Sequence, residues 1–154
     1  DMGVGWQDPA IISETGLCVW KSGPHPELAL KRDGQSLVGK MAILYTGSGH
    51  DTPGNVDKTR DYDLIEKAGA IAADAVERND IQGLGEAVRT SYSVQMKEGM
   101  SPLPEAPAAL GCKYCGGGFG GYALYLFADS IARDAFVSEH ELAIPIEPFL
   151  FSIR

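Results

Sequence analysis

Two glycine-rich stretches and one carboxylate carry the residue types that chemistry requires. Residues 111–122 read Gly-Cys-Lys-Tyr-Cys-Gly-Gly-Gly-Phe-Gly-Gly-Tyr and run directly into Ala-Leu-Tyr-Leu-Phe127. Glycine tolerates positive φ and admits close approach, so such a cluster exposes amides that can cradle anionic oxygens. The aromatic and aliphatic run from Tyr122 to Phe127 has the character of a buried strand. Two readings stand side by side: a phosphate-side clamp feeding a core strand, or a turn cluster between two strands. Residues 46–55, Thr-Gly-Ser-Gly-His-Asp-Thr-Pro-Gly-Asn, leave another apolar run and form either a binding loop or a plain surface loop. The carboxylate is Asp8, placed just before Pro9. It suits the N-cap of a short helical turn over residues 10–13, or a positioned carboxylate at a helix start.

The cysteines offer less. Cys112-Lys-Tyr-Cys115 has the spacing of a zinc knuckle or a redox pair. A structural zinc needs four ligands, and Cys18, His25, His50 and His140 stand at no ligand spacing. A redox pair caps a helix, whereas here glycines and a strand follow. No metal site is expected, and the thiols read as small core or loop residues. No nucleophile elbow, Walker A loop or dinucleotide glycine pattern is present.

The surrounding elements are legible from periodicity. Short strands are expected over residues 16–20 and 27–31, with a turn at residues 33–36, then a strong buried strand over residues 39–46. Leu64, Ile65, Ala68, Ile71, Ala72 and Ala75 make one apolar stripe on a helix from Tyr62 to Arg78. Asn79-Asp80 breaks it and caps a second helix carrying Ile81, Leu84, Val88, Tyr92 and Met96. Residues 99–107, with three prolines, read as an extended linker. Residues 129–136 form a short helix capped by Asp129 or Ser130, and residues 142–146 and 148–153 read as edge strands that tolerate proline. The order strand, helix, helix, strand, strand, helix, strand is α+β, with helices on one face of a mainly antiparallel sheet. The ferredoxin-like split βαβ arrangement is the nearest simple topology.

The chain has 154 residues and a formal charge of −8. Its length suits one domain, or one domain and part of another. Its charge argues against nucleic acid or an anionic membrane as partner, yet local amides can still hold a small anion. No apolar run approaches a membrane span, and three cysteines suit a reducing compartment, so a cytoplasmic location is expected. A start at Asp1 with no initiator methionine looks like a cut, which would make this the C-terminal part of a longer protein.

Three stretches, in order and at matching spacing, resemble the GHMP small-molecule kinases, above all the branch that phosphorylates heptose or fucose. Gly5-Trp6-Gln7-Asp8 resembles the family's Gly-x-Gln-Asp segment. Residues 41–47 resemble a strand ending in Tyr-Thr-Gly, here Tyr45, Thr46 and Gly47, and His50 stands where that branch carries a basic residue. Residues 113–121 resemble the third motif, Lys-x-x-Gly-Ala-Gly-Gly-Gly-Gly, with Phe119 at one glycine position.

The resemblance implies the C-terminal portion of an ATP- and Mg2+-dependent sugar or sugar-phosphate kinase. Asp8 would be its base or orienting carboxylate. Gly5, Trp6, Gln7, Tyr45, Thr46, Gly47 and His50 would border the acceptor. Gly116, Gly117, Gly118, Gly120 and Gly121 would line the phosphate side. It also implies that residues 1–39 end an N-terminal kinase domain and residues 40–154 form the C-terminal one. The family's nucleotide loop lies upstream of its aspartate and is not in this sequence, so the chain alone is expected to be inactive, with the missing segment as a required partner and a homodimer possible. The contrasting reading is a non-catalytic α+β module for ligand binding, regulation or assembly.

Overall fold

The computed structural model describes residue 10 and residues 13–49 and 60–150. Its main body is a four-stranded antiparallel sheet. The strands are β3 (Met41–Tyr45), β4 (Ala109–Tyr114), β5 (Tyr122–Phe127) and β6 (Ala143–Ile146), in the order β4-β5-β3-β6. Helices α1 (Tyr62–Arg78) and α2 (Ile81–Lys97) lie between β3 and β4, and α3 (Ser130–Glu139) lies between β5 and β6. Numbered within this body, the strand order is 2-3-1-4, the order of a ferredoxin-like sheet with one extra helix. The α+β class and the ferredoxin-like topology expected from the sequence are both present. Strands β1 (Leu17–Lys21) and β2 (Glu27–Arg32) pair antiparallel as a separate two-stranded sheet.

Alternation along the strands sorts the two faces. Ala42, Leu44, Ala123, Tyr125 and Phe127 point to the helix side, where they meet Phe136 of α3 and Tyr92 and Met96 of α2. Tyr125 and Phe127 are fully buried, each worth about 1.5–3 kcal/mol of apolar burial. Helix α2 reaches β4 closely because both contact positions are glycines. A Cβ on Gly85 would stand 2.7 Å from Leu110 Cβ, and one on Gly111 would stand 2.8 Å from the Gly85 carbonyl. Helix α1 packs on α2 rather than on the sheet.

The helix boundaries follow capping chemistry. The Asp61, Asp80 and Asp129 side chains accept from the backbone amides of Leu64, Gln82 and Ala132. Asn79 takes the left-handed conformation, φ 57°, that ends α1.

Three sequence expectations need correction. Lys113 and Tyr114 belong to β4, so the glycine connection is residues 115–121 rather than 113–121. Residues 148–150 form no strand, and residues 151–153 lie outside the described residues. Residues 99–107 are no mere linker: Met100 and Leu103 are buried in the core cluster. Apolar residues scattered among prolines give no period, which is why the sequence pattern missed them.

Candidate functional site

At one end of the sheet, a single rung runs Tyr114, Ala123, Leu44, Ala143 across all four strands. One further pair, Tyr45 with Tyr122, extends β3 and β5 past that rung, and the segments that then leave the strands border a cleft of about 650 Å³. Leu44, Tyr45, Thr46 and Ser48 line it along β3 and its exit, Phe119 and Gly120 on one side, Gly99 and residues 101–104 on a second and residues 140–142 on a third.

The two glycine-rich stretches singled out in the sequence meet here. Thr46 donates to the Gly121 carbonyl twice, from its amide at 2.9 Å and its hydroxyl at 2.8 Å. The Gly121 amide in turn donates to the Ser48 carbonyl at 2.8 Å. Segments some 75 residues apart are thereby fixed in register. The rings of Tyr45 and Tyr122, opposite one another on β3 and β5, lie 5.4 Å apart.

The connection 115–121 folds back through a run of positive φ: Gly118 at 77°, Phe119 at 56°, Gly120 at 117° and Gly121 at 74°. Such a run demands glycine, and Phe119 is the one residue that adopts it at a steric cost. A Cβ on Gly118 would collide with the Met100 thioether. Geometry alone therefore accounts for much of the glycine content. The Gly118 amide donates to Cys115 O and the Gly121 amide to Ser48 O. The amides of Gly116, Gly117 and Gly120 have no hydrogen-bond partner among the described residues. Those three are chemically suited to phosphate oxygens, so the connection fits a nucleotide phosphate in donor type.

The second side of the cleft is pinned by tyrosines. Tyr114 donates its hydroxyl to Ser101 O at 3.0 Å and Tyr125 to Pro104 O at 2.9 Å, while Tyr92 Oη accepts from the Leu103 amide at 2.7 Å. Burial pushes the Tyr114 and Tyr125 phenols above their ordinary range, so both remain donors. Buried Gln95 reaches from α2 and exchanges both bonds with the Tyr114 backbone, at 2.9 and 3.1 Å. It acts as one residue of an added strand along the β4 edge.

The third side is the end of α3. Phe136 touches Tyr125 and Phe127, and the His140 ring stacks on Phe136 with centroids 4.2 Å apart. His140 Nδ1 lies 2.9 Å from the Phe136 carbonyl. A carbonyl only accepts, so Nδ1 carries a proton, and Nε2 is the nitrogen left to accept. Glu141 follows on the rim, and among the described residues no lysine or arginine lines the cleft.

Of the expected site residues, the structure gathers Tyr45, Thr46 and Gly120 into the cleft lining and holds Gly121 against Thr46. Gly47, Gly116, Gly117 and Gly118 adjoin without lining it. Gly5, Trp6, Gln7, Asp8 and His50 lie outside the described residues. Lys113, paired with Leu124, alternates away from Tyr114 and so faces the opposite side of the sheet. Burial lowers its ammonium pKa, opposed by nearby Cys115. Sequence reasoning did not single out Ser101, Leu103, Tyr114 or His140 as site residues. His140 entered only as a metal-ligand candidate, and nothing in its spacing marks the ring stack that holds it.

No protein-family model and no curated protein sequence matches the chain. A solved structure does: the crystal structure of L. major mevalonate kinase in complex with R-mevalonate, with TM-score 0.57 and 21% identity over 80% of this chain. The chain shares its α+β fold with that kinase over the matched region, which is consistent with the C-terminal ferredoxin-like domain that the sequence resemblance implies. The chain spans 44% of the mevalonate kinase, less than half its length. At this identity the likeness speaks to fold. It does not bear out the heptose and fucose branch that the sequence resemblance singled out. Among the described residues no helix is long and apolar enough to cross a membrane.

Proposed function

We propose that the chain is the C-terminal portion of an ATP-dependent kinase that phosphorylates a hydroxyl of a sugar or sugar phosphate. The observation that carries this reading is the meeting of Thr46 with Gly121. It joins the two stretches that resemble separate GHMP motifs at the edge of one cleft. In this reading Tyr45, Thr46 and Gly47 border the acceptor, and the resemblance implies the same role for His50. The Gly116, Gly117 and Gly120 amides of the 115–121 connection hold phosphate oxygens on the way to the acceptor. When bound, ATP with Mg2+ supplies the phosphoryl group. Asp8, carried by Gly5-Trp6-Gln7-Asp8, takes the acceptor proton or fixes its angle of attack, since positioning and charge stabilisation provide most of phosphoryl-transfer catalysis.

The ferredoxin-like body would then follow an N-terminal kinase segment ending near residue 39, in a cytoplasmic enzyme that needs that segment for nucleotide binding. The test compares ATP-dependent phosphorylation of a sugar and sugar-phosphate panel by the isolated chain and by a longer protein carrying an upstream nucleotide loop. Turnover is expected from the longer protein and none from the isolated chain. Robust turnover by the isolated chain would sink the fragment reading. Ligand binding by the longer protein with no transfer to any substrate would favour a non-catalytic binding module instead.

A further inference from the structure

We infer that the cleft takes a neutral, hydroxyl-rich ligand rather than an anionic one, with His140 Nε2 accepting a hydrogen bond from one of its hydroxyls. This rests on reading the cleft as the acceptor site, and it selects the uncharged sugar from the two acceptor classes proposed above.

His140 gives its Nδ1 proton to the Phe136 carbonyl, which leaves a lone pair on Nε2. Thr46 gives its hydroxyl proton to Gly121 O, which leaves only acceptor capacity on Oγ1. Glu141 adds a carboxylate, again an acceptor. The Tyr45, Ser48 and Ser101 hydroxyls and the Gly120 amide also line the cleft and can serve either ligand class. The three acceptors on His140, Thr46 and Glu141 therefore discriminate: they ask for donors, and a polyol supplies one from every hydroxyl. A phosphate or carboxylate oxygen supplies none.

Charge points the same way. Glu141 and the C-terminal end of α3, with its partial negative charge, border one side. An anion placed there meets like charge. The apolar content completes the fit, because Tyr45, Tyr114 and Phe119 line the cleft and the C–H faces of a sugar ring pack on such surfaces. His140 is also held rigidly, as the last ring of a stack that begins at Tyr125 and Phe127 in the core. A preorganised acceptor loses little freedom on binding.

The test is saturation-transfer NMR on the 154-residue chain. The neutral probes are galactose, mannose and myo-inositol, set against galactose 6-phosphate, mannose 6-phosphate and R-mevalonate. At least one neutral polyol is expected to bind, with its charged counterpart weaker by about tenfold, the scale of one unfavourable charge contact near water. On titration with that polyol, the His140 Nε2 nitrogen resonance should move as its lone pair accepts a hydrogen bond from a ligand hydroxyl. His140→Phe keeps the ring stack and should abolish most of the binding. Glu141→Gln, on an exposed rim residue, should narrow the gap between neutral and charged probes. Tighter binding of the phosphates or of mevalonate, no binding of any neutral polyol, or an unmoved Nε2 resonance would each overturn the inference. Neutral-polyol binding without phosphoryl transfer by the longer protein would defeat the kinase reading and leave this one standing. Transfer to sugar phosphates alone would do the reverse.

Discussion

Single residues decide how well the cleft is held. Gln95 is the only buried polar side chain among the described residues, and both ends of its amide are matched to one backbone unit of Tyr114. Gln95→Ala removes both bonds and leaves a buried N–H and C=O on the β4 edge without partners. Each such group costs about 1–3 kcal/mol, partly relieved if water enters. The expected loss is about 2 kcal/mol or more, read as a lower denaturant midpoint at unchanged slope. Gln95→Glu should fare no better, since a carboxylate cannot donate to the Tyr114 carbonyl. A midpoint unchanged in both variants would mean that water already satisfies this edge. None of this was legible in the sequence. Gln95 lies on the same helical turn as Tyr92 and Met96, and only the fold reveals that a strand edge awaits it.

Elements were far more legible than their docking. Helices α1 and α2 announced themselves by apolar stripes and by the Asn79-Asp80 break, and β3 and β5 by unbroken apolar runs, because period and capping are local properties. The long-range ties are a different matter. Tyr92, Tyr114 and Tyr125 use their hydroxyls to pin residues 101–104, and no local pattern encodes where a phenol ends. The same holds for the clasp on α3. Arg133 donates to Asp134 and to Glu147, and the Glu147 carboxylate also accepts the Gly39 amide at 2.7 Å. This ties α3, the turn before β3 and the exit of β6 into one joint.

The Gly39 amide first, and Arg133 second, hold the Glu147 carboxyl below its ordinary range. A depressed folded-state pKa means stabilisation that is complete above the unfolded carboxyl range and is lost as pH falls through the folded value. The carboxylate is half in solvent, so the effect is modest, below about 1 kcal/mol. Thermal melts from pH 7 down to pH 3 should therefore show Glu147→Gln lowering stability at neutral pH and losing that deficit in acid. A deficit independent of pH would assign the effect to packing rather than charge.

At the scale of the whole molecule, the cleft is bounded by segments leaving one end of the ferredoxin-like sheet, and its proposed acid–base residue lies outside the described residues. The resemblance supplied Asp8 from four residues, Gly5-Trp6-Gln7-Asp8, which stand before a proline and therefore suit a helix cap equally well. The two roles separate experimentally. Asparagine caps a helix about as well as aspartate, so a pure cap predicts Asp8→Asn to be silent in both stability and turnover. A carboxylate beside the acceptor hydroxyl takes its proton as the phosphoryl group leaves ATP, and asparagine keeps its shape without the base or the charge. In the longer kinase proposed above, Asp8→Asn is expected to lower kcat by about a hundredfold or more with the melting temperature unchanged. The acceptor KM should change far less than kcat, because the lost interaction acts in the transition state more than in the ground state. Unchanged turnover would return Asp8 to the cap and move the search for the base into the cleft, where His140 offers a free lone pair.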